Sequence, residues 1–262
     1  VRRPATGTRW GGAARRTLPA LAGAALLITV WWIAAAADLV NERLFPGPLE
    51  SFQAIGAGLA DESLLTDLRA TVARMATALG LAIGIGVPLG ILLGANRTVY
   101  RCLEFPIDFF RSTPVTAVFP FFLLMFGIGD EAKVALGAFA AGLLILFNVA
   151  YGVMAARPTR KMAAQVMGAG RLRTLCTVTV FEALPQTFVG LRTGSSLALV
   201  CIVVAEMFIG ADAGIGHRII DAQQTYNLAD MYGSIIIAGV LGFMTNALFH
   251  KLDTSLVHWT GR

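Results

Sequence analysis

RPTRKMAAQVMGAGRLRTLCTVTVFEALP, residues 157–185, is a basic, polar island between apolar runs that are each long enough to cross a bilayer. It is too long for a tight turn, and its pattern is not that of a disordered linker. Pro158 and Thr159 suit a helix start, and Met162, Ala163, Val166 and Met167 fall on one side of a short helix. Gly168-Ala169-Gly170 breaks that helix. Beyond the break Leu172, Leu175, Val178 and Thr179 open a second helical face that runs towards Leu184-Pro185. The short helix, glycine elbow and re-entering helix make a knob that something outside the membrane can grip.

Composition bounds the rest of the chain. Of 262 residues, 56% are hydrophobic and 14% charged, and the mean hydropathy is +0.70. A soluble domain of this length cannot bury so much apolar surface, which argues against a soluble helical enzyme and for an integral membrane protein. At about 20 residues per span, the length holds roughly five to seven spans and no folded soluble domain beside them. The expected fold class is all-α and polytopic. Cys102, Cys176 and Cys201 have no CxxC spacing, and His217, His250 and His258 are dispersed, so neither a disulfide nor a metal site is indicated.

Working outward, residues 1–17 are basic, with Arg2, Arg3, Arg9, Arg15 and Arg16, and precede an apolar run at 18–37. That run reads as a signal peptide with a small-residue site at Ala34–Ala37, or as a retained first span. Its length, Trp31 and Trp32 near its far end, and the spans that follow favour retention. Residues 38–70 are polar, but Leu49, Phe52, Ile55 and Leu59 after the Phe45-Pro-Gly-Pro turn predict a short interfacial helix. A second span is expected at 71–95, with glycines at Gly80 and Gly84 and at Gly86, Gly90 and Gly94. Their spacing suits close helix packing, either within one subunit or across a dimer. Asn96, Arg97 and Arg101 are expected to form a short basic loop.

A third apolar segment, 106–127, holds Asp108, Arg111, Ser112, Thr113, Pro114 and Pro120. Asp108 and Arg111 either pair on one face or mark the membrane edge. The fourth, fifth and sixth spans are expected at 133–156, 186–210 and 231–249. Loops numbered alternately put the basic N-terminus, Arg97, Arg101, the island and the tail 251–262 on one side. The other side takes 38–70, Asp130-Glu131 and the mildly acidic 212–230. Basic short loops stay in the cytoplasm, so six spans with both termini and the island cytoplasmic are expected.

No GxxxxGK[ST] phosphate loop occurs, and no HExxH, GxSxG or intramembrane carboxylate cluster. An enzyme is therefore not expected. A proton-coupled carrier wants several intramembrane ionisable groups, and Glu206 is the only carboxylate in the later spans that qualifies. An ion-coupled carrier or channel acting without an ATPase remains the alternative. A multispan chain with a structured basic knob and no energy source points to energy arriving from a partner.

The island resembles the cytoplasmic "EAA" loop in permease subunits of bacterial ATP-binding-cassette importers. Met162-Ala163-Ala164, Gly168 and Leu184-Pro185 keep that family's register, with Met162 standing where the family usually has Glu. Phe126-Gly-Ile-Gly-Asp130, Val203-Val-Ala-Glu206-Met207, and Ala213-Gly-Ile-Gly216 with Ile219-Ile220 are similar to the nitrate, sulfonate and taurine branch. Arg111-Ser-Thr-Pro114 departs from that branch's more proline-rich run. The resemblance covers about Leu44 to Leu256.

It implies a type I importer permease fold, with 71–250 as the core permease domain and 157–185 as the coupling loop. It also implies a multi-pass protein of the bacterial inner membrane. Implied partners are the lipid bilayer, a second permease copy, two cytoplasmic ATPase subunits and an extracytoplasmic solute-binding protein. No nucleic acid is expected, and no cofactor on this chain, ATP and Mg belonging to the ATPase. The helix Thr159–Met167, about 13 Å long, would then act as a rigid lever on the ATPase through Arg160, Lys161, Met162, Ala163, Ala164, Val166, Met167 and Gly168. Thr113, Pro114, Ser195, Ser196 and Glu206 are the candidates for the translocation pathway or gate. For the serines, bonding back to their own helix is the other reading; for Glu206, pairing or capping near the outer gate. The expected cargo is a small anion: a sulfonate, taurine, nitrate, bicarbonate or an aromatic acid.

Overall fold

The computed structural model describes residues 11–37, 44–209 and 212–257, and within these every regular element is a helix. In chain order they are α1 (Gly11–Ala36), α2 (Pro48–Ala60), α3 (Ser63–Ala95), α4 (Arg97–Ser112), a 3₁₀ turn (Val115–Val118), α5 (Phe119–Phe126) and α6 (Asp130–Ala155). Then follow α7 (Pro158–Val166), α8 (Arg171–Thr174), a π-helical turn (Leu175–Thr179), α9 (Val180–Ile209), α10 (Ile215–Gln224) and α11 (Leu228–Leu256). The charges expected at Arg2, Arg3, Arg9, Asp38, Glu42, Arg43 and Arg262 lie outside the described residues.

The bundle is built on α3, α6 and α9, with α6 in the middle. Glycines set both seams. A Cβ added at Gly86 would lie 3.0 Å from the Gly142 carbonyl, at Gly90 2.7 Å from that of Leu146, and at Gly94 2.6 Å from that of Ala150. These contacts advance together along α3 and α6, so the two helices run parallel. On the other side Gly152 meets Ala183, Gly190 meets Asn148 and Gly194 meets Ala141, so α9 runs antiparallel to α6. Ala82, Ala141, Ile145, Val149, Val153, Ala183 and Ala198 fill the core between them. Lipid offers little hydrophobic drive to hold helices together, so close backbone approach at small residues is what binds these seams. The Gly86, Gly90 and Gly94 stripe thus packs within the subunit, whereas Gly80 and Gly84 face open space.

α11 lies antiparallel to α9: Gly242 sits against Leu199, and Arg192 donates a hydrogen bond to Asn246. Its other end packs on α2, where Gly233 abuts Ile55 and the Ser51 carbonyl. Trp31 of α1 stacks on Tyr232, with ring centroids 6.1 Å apart.

Among the described residues, four helices are long and apolar enough to cross a membrane: Ser63–Ala95, Asp130–Ala155, Arg171–Phe208 and Leu228–Leu256. The apolar part of α1, Ala22–Ala36, is shorter. The segment expected as a single third span is instead a pair of limbs, Arg97–Ser112 and Val115–Phe126, bent by 94°. Pro114 causes the break, because its ring pushes Thr113 out of the helical region, to φ −77 and ψ 128. Residues 97–105 are helix and not loop, because the Asn96 side chain accepts from the Thr98 and Val99 amides and caps α4. Likewise α3 begins at Ser63, eight residues before the expected span. Ser63 donates both its amide and its hydroxyl to Asp61, which holds the Asp61 carboxyl below its ordinary pKa. The interfacial helix forms as α2, and the acidic segment 212–230 contains α10.

Candidate functional site

α7 is fixed at both ends. Pro158 fills the first helical position, where no backbone donor is needed. The Arg157 amide donates to Glu182 Oε2 at 2.6 Å, and the other oxygen of the same carboxylate pairs with Arg160 Nη1, also at 2.6 Å. A carboxylate at a helix N-terminus also suits the helix dipole. At the other end Gly168, at φ +86, lets the chain turn back: its amide donates to Gln165 O and the Ala169 amide to Ala164 O, both at 2.9 Å. That is a Schellman closure, which favours glycine at its left-handed position. After it, α8, the π turn and α9 run on as one helix, Arg171–Phe208, passing through Pro185.

The sides of α7 differ. Ala164 is buried against the chain, and Lys161 Nζ donates to the Val153 carbonyl at 3.4 Å. Met162 is 61% exposed, Val166 89% and Met167 81%, and Ala163 is also exposed. Met162 and Val166, one turn apart, thus present an apolar face that the chain itself leaves uncovered. Packing of these residues on the chain's own helices is excluded by that exposure. Arg160 differs from expectation in being engaged by Glu182 within the chain, which orients α7. Glu182 had no role in the sequence reading, since it lies 22 residues from its partner. The signal for it was a carboxylate beside five basic residues of the island.

The pathway candidates do not share one surface. Ser195 and Glu206 are fully buried in this chain. Ser195 donates to Arg192 O at 2.9 Å, and Ser196 to the same carbonyl at 3.3 Å, so both hydroxyls bond back to their own helix. Thr113 does the same to Phe109 O at 2.9 Å, and exposed Pro114 stands at the break. Arg111 lies over the Phe147 ring, 5.9 Å from its centroid, and no ion pair joins it to Asp108 among the described residues.

Glu206 instead anchors a polar latch at the end of the bundle opposite α7. Its carboxylate accepts from Arg74 Nη1 at 2.7 Å, from Thr71 Oγ1 and from the Gly216 amide at 2.9 Å. Thr71 in turn accepts from the Ile215 amide, so the first turn of α10 is capped by α3 and α9. Arg74 also bonds Asp130 and the Ala213 carbonyl. The two glycines of Ala213-Gly-Ile-Gly216 are required by this packing. At Gly214, φ +146, a Cβ would strike the Glu206 carboxyl, and at Gly216 it would strike the Val203 carbonyl. Around the latch Arg218 pairs with Asp67 and Asp230. Burial alone lowers the Arg218 pKa; the two carboxylates outweigh it and raise the value above the ordinary one. Arg74 and Thr71 were missed, although a charge inside an apolar run always asks for a buried partner. Among the described residues no group of three or more His, Cys, Asp and Glu side chains converges on a metal-sized site.

Residues 86–259 match the family of binding-protein-dependent transport system inner membrane components. The chain is 30% identical over 242 residues to the taurine transport system permease protein of Escherichia coli (strain K12), covering 90% of this chain and 88% of that one. It is 26% identical over 235 residues to a putative aliphatic sulfonates transport permease protein of Bacillus subtilis (strain 168), covering 90% and 85%. It is 28% identical over 253 residues to the bicarbonate transport system permease protein of Synechococcus elongatus, covering 92% and 90%. In fold it resembles a chain of the MetNI methionine ABC transporter in an inward-facing form, with TM-score 0.65 and 20% identity over 74% of this chain and 95% of that one. The clamped short helix, the glycine-packed seams and these matches agree: the chain belongs to the binding-protein-dependent transport family, as a permease subunit of the nitrate, sulfonate and taurine branch of ABC importers.

Proposed function

We propose that this chain forms half of the translocation path of an ATP-driven importer for a small anion, and that α7 is where a cytoplasmic ATPase subunit docks. The observation that carries this is the uncovered apolar face of Met162, Val166 and Met167 on a helix locked by Glu182 and Gly168. A helix held so firmly transmits force, and an apolar face left bare at a membrane surface calls for a partner. With Met162 in place of an acidic residue, and Arg160 occupied by Glu182, docking rests on packing more than on charge.

Two copies of the chain, two ATPase subunits holding ATP and Mg, and an extracytoplasmic solute-binding protein complete the importer in a bacterial inner membrane. The parallel course of α3 and α6 supports six crossings, because the bent α4–α5 pair must then return the chain to its starting side. Both termini lie with α7 in the cytoplasm on this reading. The taurine, sulfonate and bicarbonate permeases among the relatives support the anion class. Placing glutamate at both Val166 and Met167 should leave the permease folded, since neither side chain is buried, and abolish its co-purification with the ATPase. A doubly substituted permease that still assembles would refute the docking site.

A further inference from the structure

In the half of the bundle nearer α7, a cleft of about 260 Å³ opens between α4, α6 and α9. Tyr100, Arg111, Phe147, Asn148, Tyr151 and Gln186 line it. Tyr100 and Arg111 are eleven residues apart, about three turns, and so share a face of α4. Arg111 is exposed to the cleft and pairs with no carboxylate among the described residues; its guanidinium rests only on the Phe147 ring. Glu104 and Asp108, the acidic residues nearest it in sequence, do not line the space.

Across from it Gln186 Nε2 donates to Asn148 Oδ1 at 2.9 Å, and Asn148 Nδ2 donates to Leu144 O at 2.8 Å. This fixes both amides and leaves each a second N–H. The Tyr100 and Tyr151 hydroxyls make no hydrogen bond among the described residues. A second cleft of about 320 Å³ shares Tyr151 and Gln186 and continues towards α7, past Arg157 and Arg160. The one carboxylate there, Glu182, is already bound to Arg160 and the Arg157 amide.

We infer that the first cleft is a transit site for the oxyanion group of the solute, a sulfonate, carboxylate or comparable head. An unpaired guanidinium at membrane depth is costly and marks a pathway by default. Its planar fork takes two oxygens of an oxyanion, and the amide and phenol donors take the remaining lone pairs. The second cleft is the exit, with positive charge leading outward. Phe147 holds the guanidinium in place and lines the floor for a short apolar stem. This site rests on the anion-importer reading and deepens it.

The test uses the full complex of permease, ATPase and binding protein in proteoliposomes, with labelled taurine, ethanesulfonate, bicarbonate and nitrate as probes. For whichever probe the wild type accumulates, Arg111→Gln and Arg111→Met should lower uptake about tenfold or more, the worth of a charge-assisted hydrogen bond. Arg111→Lys should retain clearly more uptake than Arg111→Met, with all variants eluting as assembled complexes. Wild-type uptake by Arg111→Gln, or equal uptake by the Lys and Met variants, overturns the site while leaving the importer reading intact. Wild-type transport of a solute that bears no oxyanion group, with none of these probes accumulated, overturns both. If the Arg111 variants do not assemble, Tyr151→Phe decides: the site requires a raised KM for uptake, and an unchanged KM refutes it.

Discussion

Glu206 holds a buried negative charge that Arg74, Thr71 and the first turn of α10 all use. Removing one partner of such a pair leaves the other charge buried without compensation. Glu206→Ala should therefore cost about 3–5 kcal/mol, seen as a lower melting temperature of the detergent-solubilised permease. Replacing both charges, as Arg74→Met with Glu206→Leu, should recover part of that loss, because neither desolvated charge then remains. A Glu206→Ala protein melting with the wild type would contradict the latch. In sequence Glu206 reads as a gate candidate, and Arg74 has no role assigned to it. Their 132-residue separation hides the pairing, since no local pattern encodes it. What was legible is the need itself: each lies in or beside an apolar run, where an isolated charge is expensive.

At the scale of the element, α7 was legible because both its ends carry local signals, Pro158 at the start and Gly168 at the end. The observed helix, Pro158–Val166, starts and stops one residue before the expected one. Gly168 has no heavy atom within 4 Å of an added Cβ, so its role is conformational and not steric. Gly168→Leu should strain the closure by about 1–2 kcal/mol and lower the stimulation of ATP hydrolysis by loaded binding protein. Gly168→Asn, which tolerates the left-handed region, should be much closer to wild type. Equal stimulation in the Leu variant and the wild type would show that the elbow does not transmit the stroke. By contrast α4 was not legible. It is amphipathic with no buried residue, so hydropathy hid a helix whose start is a side-chain cap and whose end is a proline. Leu172 also departs from the face expected of it: it is exposed, while Leu175 packs on the core.

For the whole molecule, the long apolar runs made the helical membrane class plain, and Gly86, Gly90 and Gly94 announced a close seam without saying against what. The structure supplies α6 as that partner. The resulting α3–α6–α9 core joins two ends with different work: a charged latch that ties α10 to α3 and α9, and an apolar knob that is tied to the core but faces away from it. An end-to-end rigid core suits a protein that passes a stroke from an ATPase to a path through the membrane. The measurement that tests this most directly is uptake of labelled small anions into proteoliposomes holding the permease alone, or the permease with its ATPase and binding protein. The account predicts accumulation only in the complete assembly, and only with ATP and Mg on the ATPase side. Uptake by the permease alone, driven by an ion gradient, would contradict it.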